Sequence, residues 1–293
     1  MAVILVTGAS GQLGNEIRNS SKNYFGYEFV FTDIDTLDIT DEEAVKQTIK
    51  TTHPDWIINC VAYNLVDKAE TDSENAFKVN GQAVKNLAES IKGSESRLIH
   101  ISTDYVFDGN SSTPYNENSI TNPQSAYGKS KLEGEKSALL HHGTMIIRTS
   151  WLYSSFGTNF VKTILKHGKD KETLKVVYDQ TGTPTYAADL SNVILSVISG
   201  VIRNQIAFNA GIYHYSNEGT CSWYDFATEI INESGLKCKV IPILSKEYPT
   251  AARRPSFSVL DKSKIKENYG IDIPHWRESL KRCIKQIDFL HTL

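Results

Sequence analysis

Cysteine is scarce and scattered in this sequence. Four thiols, Cys60, Cys221, Cys238 and Cys283, are spread over 293 residues, and none pairs with another at metal-ligand spacing. That argues against a metal site and predicts reduced thiols in a reducing cytoplasm. His141 and His142 are adjacent, which is no ligand spacing either. A surplus of one charge is also missing. The net charge is −3, and no Lys/Arg run marks a nucleic-acid-binding face. No stretch approaches the roughly 18 apolar residues of a membrane span. The opening "VILV" is too short for a signal-peptide core and has no basic lead. Neither an internal repeat nor a low-complexity segment is visible. These absences predict a cytoplasmic protein without nucleic-acid or membrane partners. What is present is an ordinary globular composition, 40% hydrophobic and 22% charged, long enough for about two domains.

The first half alternates short apolar runs with helical patterns. "VILV" (3–6), "EFVFT" (28–32), "WIINC" (56–60), "LIHIS" (98–102) and "TMIIRTS" (144–150) read as buried strands. Between them lie a helix after Gly14, one from "TDEEAVKQTI" with a Thr40/Glu43 capping box, one over "SENAFKVNGQAVKNLAESI" and one over "SAYGKSKLEGEKSALL". Such alternation predicts a doubly wound α/β fold, a Rossmann-like parallel sheet over residues 1–150 with helices on both faces. Parallel strands buried on both sides should be continuously apolar, as these are. Beyond residue 151 the pattern becomes irregular and Pro-dotted from Pro242 to Pro255. Residues 151–293 are expected to form a smaller mixed α/β substrate domain, with the segment 183–200 returning to the first.

"VILVTGASGQLGNEI" places Gly8, Gly11 and Gly14 between the first strand and a helix. Glycine permits the tight turn and close backbone approach that a pyrophosphate needs, and the helix start offers free N–H groups. The position, at the first strand-to-helix junction, makes the triplet a dinucleotide signal. Asp33, nineteen positions past Gly14, closes the second strand. A carboxylate there can bind ribose hydroxyls, which favours NADH over NADPH without settling between them.

"AYGKSK" (126–131) puts Tyr127 and Lys131 four residues apart, hence on one face of a helix. An ammonium beside a phenol should pull the phenol's pKa below its usual value of about 10, making a general acid suited to neutral pH. By itself the pair fits the wet face of any amphipathic helix. Thr103 follows the strand "LIHIS", at the carboxyl edge where open α/β sheets place ligands. Asp104 alone also suits a turn, and Trp151 alone suits simple packing.

Taken together, "TGASGQLG" (7–14), "LDIT" (37–40), "CVAYNLVDKAE" (60–70), "ISTDYVFDG" (101–109), "YGKSKLEGE" (127–135), "IRTSWLY" (147–153), "DQTGTPTYAADL" (179–190) and "RRPSFSVLD" (253–261) span nearly the whole chain. They resemble the extended short-chain dehydrogenase/reductase family. Within it they are most similar to reductases of dTDP-linked 4-keto-6-deoxy sugars. "STDYVFDG" with "DQTGTPT" is more specific to that group than the Tyr/Lys motif. The resemblance implies NADPH- or NADH-dependent reduction of dTDP-4-dehydro-6-deoxy-L-mannose to dTDP-L-rhamnose by a monomer or homodimer. It casts Tyr127 as proton donor, Lys131 as its partner and a nicotinamide-ribose ligand, Thr103 as a hydrogen-bond donor to the reacting oxygen, and Asp104 as its neighbour at the substrate. Gly8, Ser10, Gly11, Gln12, Leu13, Gly14, Asp33, Asp38, Ile39, Cys60, Ala62, Tyr63 and Asn80 would hold the cofactor. Val66, Tyr105, Trp151 and Arg254 would join Thr103 and Asp104 on the substrate, Trp151 as an aromatic that packs on the sugar ring and Arg254 facing its diphosphate. Two departures stand out. Asn64-Leu65 replaces the group's Thr-Ala, and Phe257 replaces an Asn. Other readings are a different sugar-nucleotide reductase, an epimerase that holds its cofactor tightly, or a non-catalytic NADP-binding protein resembling the regulatory subunit of methionine adenosyltransferase.

Overall fold

Ile4, Leu5 and Val6 have no exposed surface, so the strand that carries them must lie inside a sheet covered on both faces. The computed structural model, which describes residues 1–292, shows how this is done. The first half runs β1 (Ala2–Thr7), α1 (Gln12–Ser21), β2 (Tyr27–Thr32), α2 (Glu42–Thr52), β3 (Trp56–Asn59), α3 (Ser73–Phe77), α4 (Ala83–Ser90), β4 (Arg97–Thr103), α5 (Ala126–Ala138) and β5 (Thr144–Thr149). The second half runs β6 (Leu152–Tyr153), α6 (Phe160–Asp170), β7 (Thr173–Val177), β8 (Thr181–Gly182), β9 (Thr185–Tyr186), α7 (Ala187–Ile202), β10 (Gly211–His214), β11 (Cys221–Ser222), α8 (Trp223–Glu233), β12 (Lys239–Ile243), α9 (Ser263–Tyr269) and α10 (Trp276–Thr292).

Six strands form one parallel sheet in the order β2-β1-β3-β4-β5-β10. On one face, Leu13 and Ile17 of α1 and Leu190, Ile194 and Ile198 of α7 pack on Ile4, Val6 and Ile58. On the other, Val45 of α2, Val84 and Leu87 of α4 and Ala138 of α5 pack on Leu5, Ile57 and Leu98. Burying each such aliphatic side chain contributes about 1.5–3 kcal/mol. The winding direction reverses between β1 and β3, and open sheets bind ligands at that switch point. A second core joins α6, α8 and α10 through Val161, Ile164, Phe226, Ile230, Trp276 and Leu280, with β7 and β12 paired in parallel beside it. Among the described residues, no helix is long and apolar enough to cross a membrane.

Three local expectations change. The cap of α2 is Asp41, not Thr40: the Asp41 carboxylate accepts from the N–H groups of Glu43 and Ala44, both at 3.0 Å. Asp41 reaches both donors because the helix begins at Glu42, one residue later than the capping box requires. The helical stretch from Ser73 to Ser90 is interrupted by a π turn over Lys78–Gln82. The boundary at residue 150 is also not a clean division. Beyond the helix at 183–200, which lies against α1 as α7, β10 adds itself to the large sheet, with Gly211–His214 paired to Met145–Arg148. Tyr213 of that strand is fully buried there, and its partner strand lies some sixty residues earlier, out of reach of local pattern.

Candidate functional site

A cleft of about 2010 Å³ opens beyond the carboxyl ends of β1, β3 and β4 and runs on to the smaller lobe. Pockets for one small ligand usually measure about 300–1,000 Å³, so this cleft has room for a dinucleotide and a second large ligand. Gly8, Gly11, Gln12, Leu13, Asp33, Asp38, Ile39, Cys60, Ala62, Tyr63, Val66, Thr103, Asp104, Tyr105, Tyr127, Lys131, Trp151 and Arg254 all line it. Ser10, Gly14 and Asn80 do not. Ser10 instead donates its backbone N–H to Asp33 Oδ2 at 2.7 Å, tying the glycine turn to the end of β2. Asn80 is fully buried in the π turn, and its side chain bridges the Tyr63 backbone to the Ser130 hydroxyl of α5. It supports the cleft wall rather than facing a cofactor.

The glycine turn fits a dinucleotide. Gly8 has φ +69°, and a Cβ there would lie 2.8 Å from the Val61 nitrogen. At Gly14 a Cβ would run into the Gly8 carbonyl and the Ala9 backbone. Both positions therefore need glycine for the turn to lie flat against the strand ends. Gly11 caps α1 with no side chain, which leaves the first helical N–H groups to an anionic ligand. Hydrogen bonds from Ser10 and Ile34 help keep the Asp33 carboxyl charged, below its ordinary range. That is the state in which it can accept from ribose hydroxyls.

Thr103 ends β4, and Tyr127 and Lys131 stand one turn apart at the start of α5. Gly128, between them, allows α5 to approach: a Cβ there would strike the Tyr105 carbonyl. Tyr105 in turn meets the Tyr127 ring edge-on at 5.5 Å. The Lys131 ammonium donates to the Ile101 carbonyl at 2.6 Å, and burial lowers its pKa to about 8, with Glu135 acting against the shift. The expected depression of Tyr127 is not what the protein's own groups produce. Burial pushes the phenol up, Thr103 beside it opposes the shift, and the nearby Asp104 carboxyl reinforces it. The phenol is thus firmly protonated at neutral pH, as a proton donor must be. Thr103 donates to Asp104 Oδ1 at 3.0 Å, and burial raises the Asp104 carboxyl to about 6. Cys60, also on the cleft wall, is pushed up to about 12 by burial, so it stays a neutral thiol.

On the other side, Arg254 donates to the Tyr105 hydroxyl at 3.1 Å and to Asp67 at 2.5 Å. Asp67 also accepts from the Ala252 backbone at 3.0 Å. It is a contact that no sequence spacing suggests, since 185 residues separate the two. Trp223, which lines the same cleft, was equally illegible. Its one local signal is a Ser222/Asp225 capping box that starts a helix on an aromatic. Of the two departures, Asn64 and Leu65 line the cleft, whereas Phe257 packs with Tyr115 and Leu260 away from it.

Comparison with known proteins agrees with this geometry. The family model described as the RmlD substrate-binding domain matches residues 1–289. A dTDP-4-dehydrorhamnose reductase of Aggregatibacter actinomycetemcomitans is 41% identical, with 96% of this chain and 98% of the relative covered. A solved dTDP-4-dehydrorhamnose reductase from Clostridium acetobutylicum is 43% identical and superposes with a TM-score of 0.92 over 98% of this chain and 99% of that one. The Bacillus anthracis reductase, solved in complex with NADP, is 37% identical and reaches the same TM-score over 98% of this chain and all of the other. With the match running through both lobes and the cleft between them, this chain belongs to the RmlD substrate-binding family of the short-chain dehydrogenase/reductases.

Proposed function

We propose that this protein reduces the 4-keto group of dTDP-4-dehydrorhamnose to give dTDP-L-rhamnose, with NADPH or NADH as reductant. One observation carries the reading. Thr103, Tyr127 and Lys131 meet in a cleft that also contains the glycine cradle, in a chain whose relatives are named for this reaction.

The bound cofactor supplies the hydride. The rest follows from the chain's own groups. As hydride reaches the carbonyl carbon, negative charge develops on the sugar oxygen. The Tyr127 hydroxyl on α5 offers a hydrogen bond to that charge and delivers its proton, and the Thr103 hydroxyl on β4 would add a second by turning from Asp104 to the sugar oxygen. A sugar alkoxide is a stronger base than an ordinary phenolate, so the transfer is favourable to the extent that positive charge beside the phenol offsets the effect of its burial. The Lys131 ammonium, one helical turn from Tyr127, would favour the phenolate that is left and would offer donors to the cofactor ribose. Arg254, with its planar fork at the mouth of the cleft, suits the substrate diphosphate. Gly8, Gly11 and the start of α1 would hold the cofactor pyrophosphate, and Asp33 the adenosine ribose.

The test is the loss of reduced-nicotinamide absorbance when folded protein meets dTDP-4-dehydrorhamnose, with each cofactor in turn. No loss with either cofactor removes the proposal. Interconversion of sugars without net cofactor oxidation replaces it with an epimerase.

A further inference from the structure

The motif "DQTGTPT" has no role in the chemistry just described, and it lies against a feature that needs explaining. Trp151 has φ +48°, a left-handed conformation in which a bulky residue is strained. Such strain persists only when the surroundings over-determine it, and it gathers at functional sites. Here the surroundings are specific. The Trp151 indole stacks on Trp223 with ring centres 3.6 Å apart and planes 11° from parallel. Gly182 lies against the same indole: a Cβ there would sit 2.6 Å from its Cε2 and 2.7 Å from its Cζ2. The two supports are one unit. Gly182 pairs with Cys221 in the short β8–β11 ladder, and Trp223 follows that ladder directly at the start of α8. The Ser222/Asp225 capping box fixes the helix start, and Phe160 backs Trp223 at 4.6 Å. The Trp151 backbone is held from the same segment, since its carbonyl accepts from the Thr185 N–H at 3.2 Å. The neighbouring Ser150 hydroxyl donates to the Thr183 carbonyl at 2.7 Å. Both indoles line the same cleft as Thr103 and Tyr127.

We propose that Gly182 and Trp223 are positioning residues for the sugar. They form a frame that holds the Trp151 indole as a rigid wall of the substrate site. The inference rests on the sugar-nucleotide reductase reading. The apolar C–H face of a deoxysugar packs on an aromatic plane, and the wall is useful only if its plane is fixed before the sugar arrives. A free indole would lose rotamer freedom on binding, and the frame removes that cost.

Two stacked indoles give an exciton couplet in circular dichroism. The other two tryptophans pack on Phe208 and on Phe226, not on an indole, so the couplet reports Trp151 and Trp223. Gly182→Ala keeps both indoles but intrudes on the Trp151 ring and on the Ser258 hydroxyl, so the Trp223 variants, which leave Ser258 alone, accompany it. It should abolish the couplet and raise KM for the sugar nucleotide about tenfold, the effect of losing one aromatic pair. The NADH dissociation constant, which also serves as the folding control, should stay put. Trp223→Leu should raise KM likewise, and Trp223→Phe should restore most of the loss. A lost couplet with KM within about twofold of wild type overturns the wall, and a retained couplet in Gly182→Ala overturns the frame. Should Gly182→Ala fail to bind NADH, the Trp223 pair decides alone: an unchanged KM in Trp223→Leu refutes the inference. Wild-type turnover tests the reductase reading separately. If wild type is inactive, a couplet that shifts on adding dTDP-L-rhamnose still supports the wall, and one that does not respond sinks it.

Discussion

Replacing Asp104 with asparagine should stabilise the protein above about pH 6 and leave it unchanged near pH 4. The Asp104 carboxyl is 2% exposed, and its Oδ2 has no hydrogen-bond partner of good geometry, although the Ser258 hydroxyl lies beside it. Burial raises its pKa from 3.8 to about 6. The fold therefore prefers the neutral acid. The sign follows: this contribution is fully present below pH 3.8 and is lost as pH rises to about 6. At about 1.4 kcal/mol per pH unit, the gap amounts to about 3 kcal/mol. Asparagine keeps an oxygen to accept from Thr103 and places an NH₂ toward the Ser258 hydroxyl, with no charge to bury. Near pH 8 the variant should melt about 6 °C higher than wild type, at about 2 °C per kcal/mol for a chain of this size. The assay is thermal unfolding of both proteins from about pH 4 to about pH 8. A difference in Tm that does not grow with pH, or that favours the aspartate at high pH, refutes the assignment of a strained, buried carboxylate beside Thr103.

Three further outcomes are expected. Tyr127→Phe should lower kcat by about 10²-fold or more, the scale for a positioned acid, with NADH affinity unchanged by fluorescence titration. Near-normal turnover would contradict the proton-donor role. Gly14→Ala drives a methyl into the Gly8 carbonyl and the Ala9 backbone, so it should weaken NADH binding and lower Tm together; unimpaired NADH binding would show that the cradle is read wrongly. For Lys131, with a pKa lowered to about 8, rate and stability should move in opposite directions. Turnover should fall as pH rises through about 8 and the ammonium is lost. Stability contributed by the neutral amine is lost as pH falls through the same value, so Lys131→Met should raise Tm at neutral pH while abolishing activity. A pH–rate profile level across that range, or a Met variant of unchanged Tm, would contradict this account.

What the amino-acid order determined by itself was whatever short-range physics controls. Continuous apolar runs such as "VILV" and "LIHIS" have one stable place, inside a parallel sheet, and β1 and β4 are there. The glycine spacing after β1 and the four-residue step from Tyr127 to Lys131 are constraints on a single turn, legible without neighbours. Position at the carboxyl end of a strand pointed to Thr103, whereas Asp104 came only from the family resemblance. The tertiary structure decided everything that needed two distant segments in contact. It brought β10 into the sheet, set Asp67 against Arg254, stacked Trp151 on Trp223, and moved Asn80 from an expected ligand to a buried brace. It also reversed the expected direction for Tyr127, because desolvation depends on which groups surround the phenol. Local periodicity reports which way a side chain faces. Only the closed fold decides what it meets there and how much water is left around it.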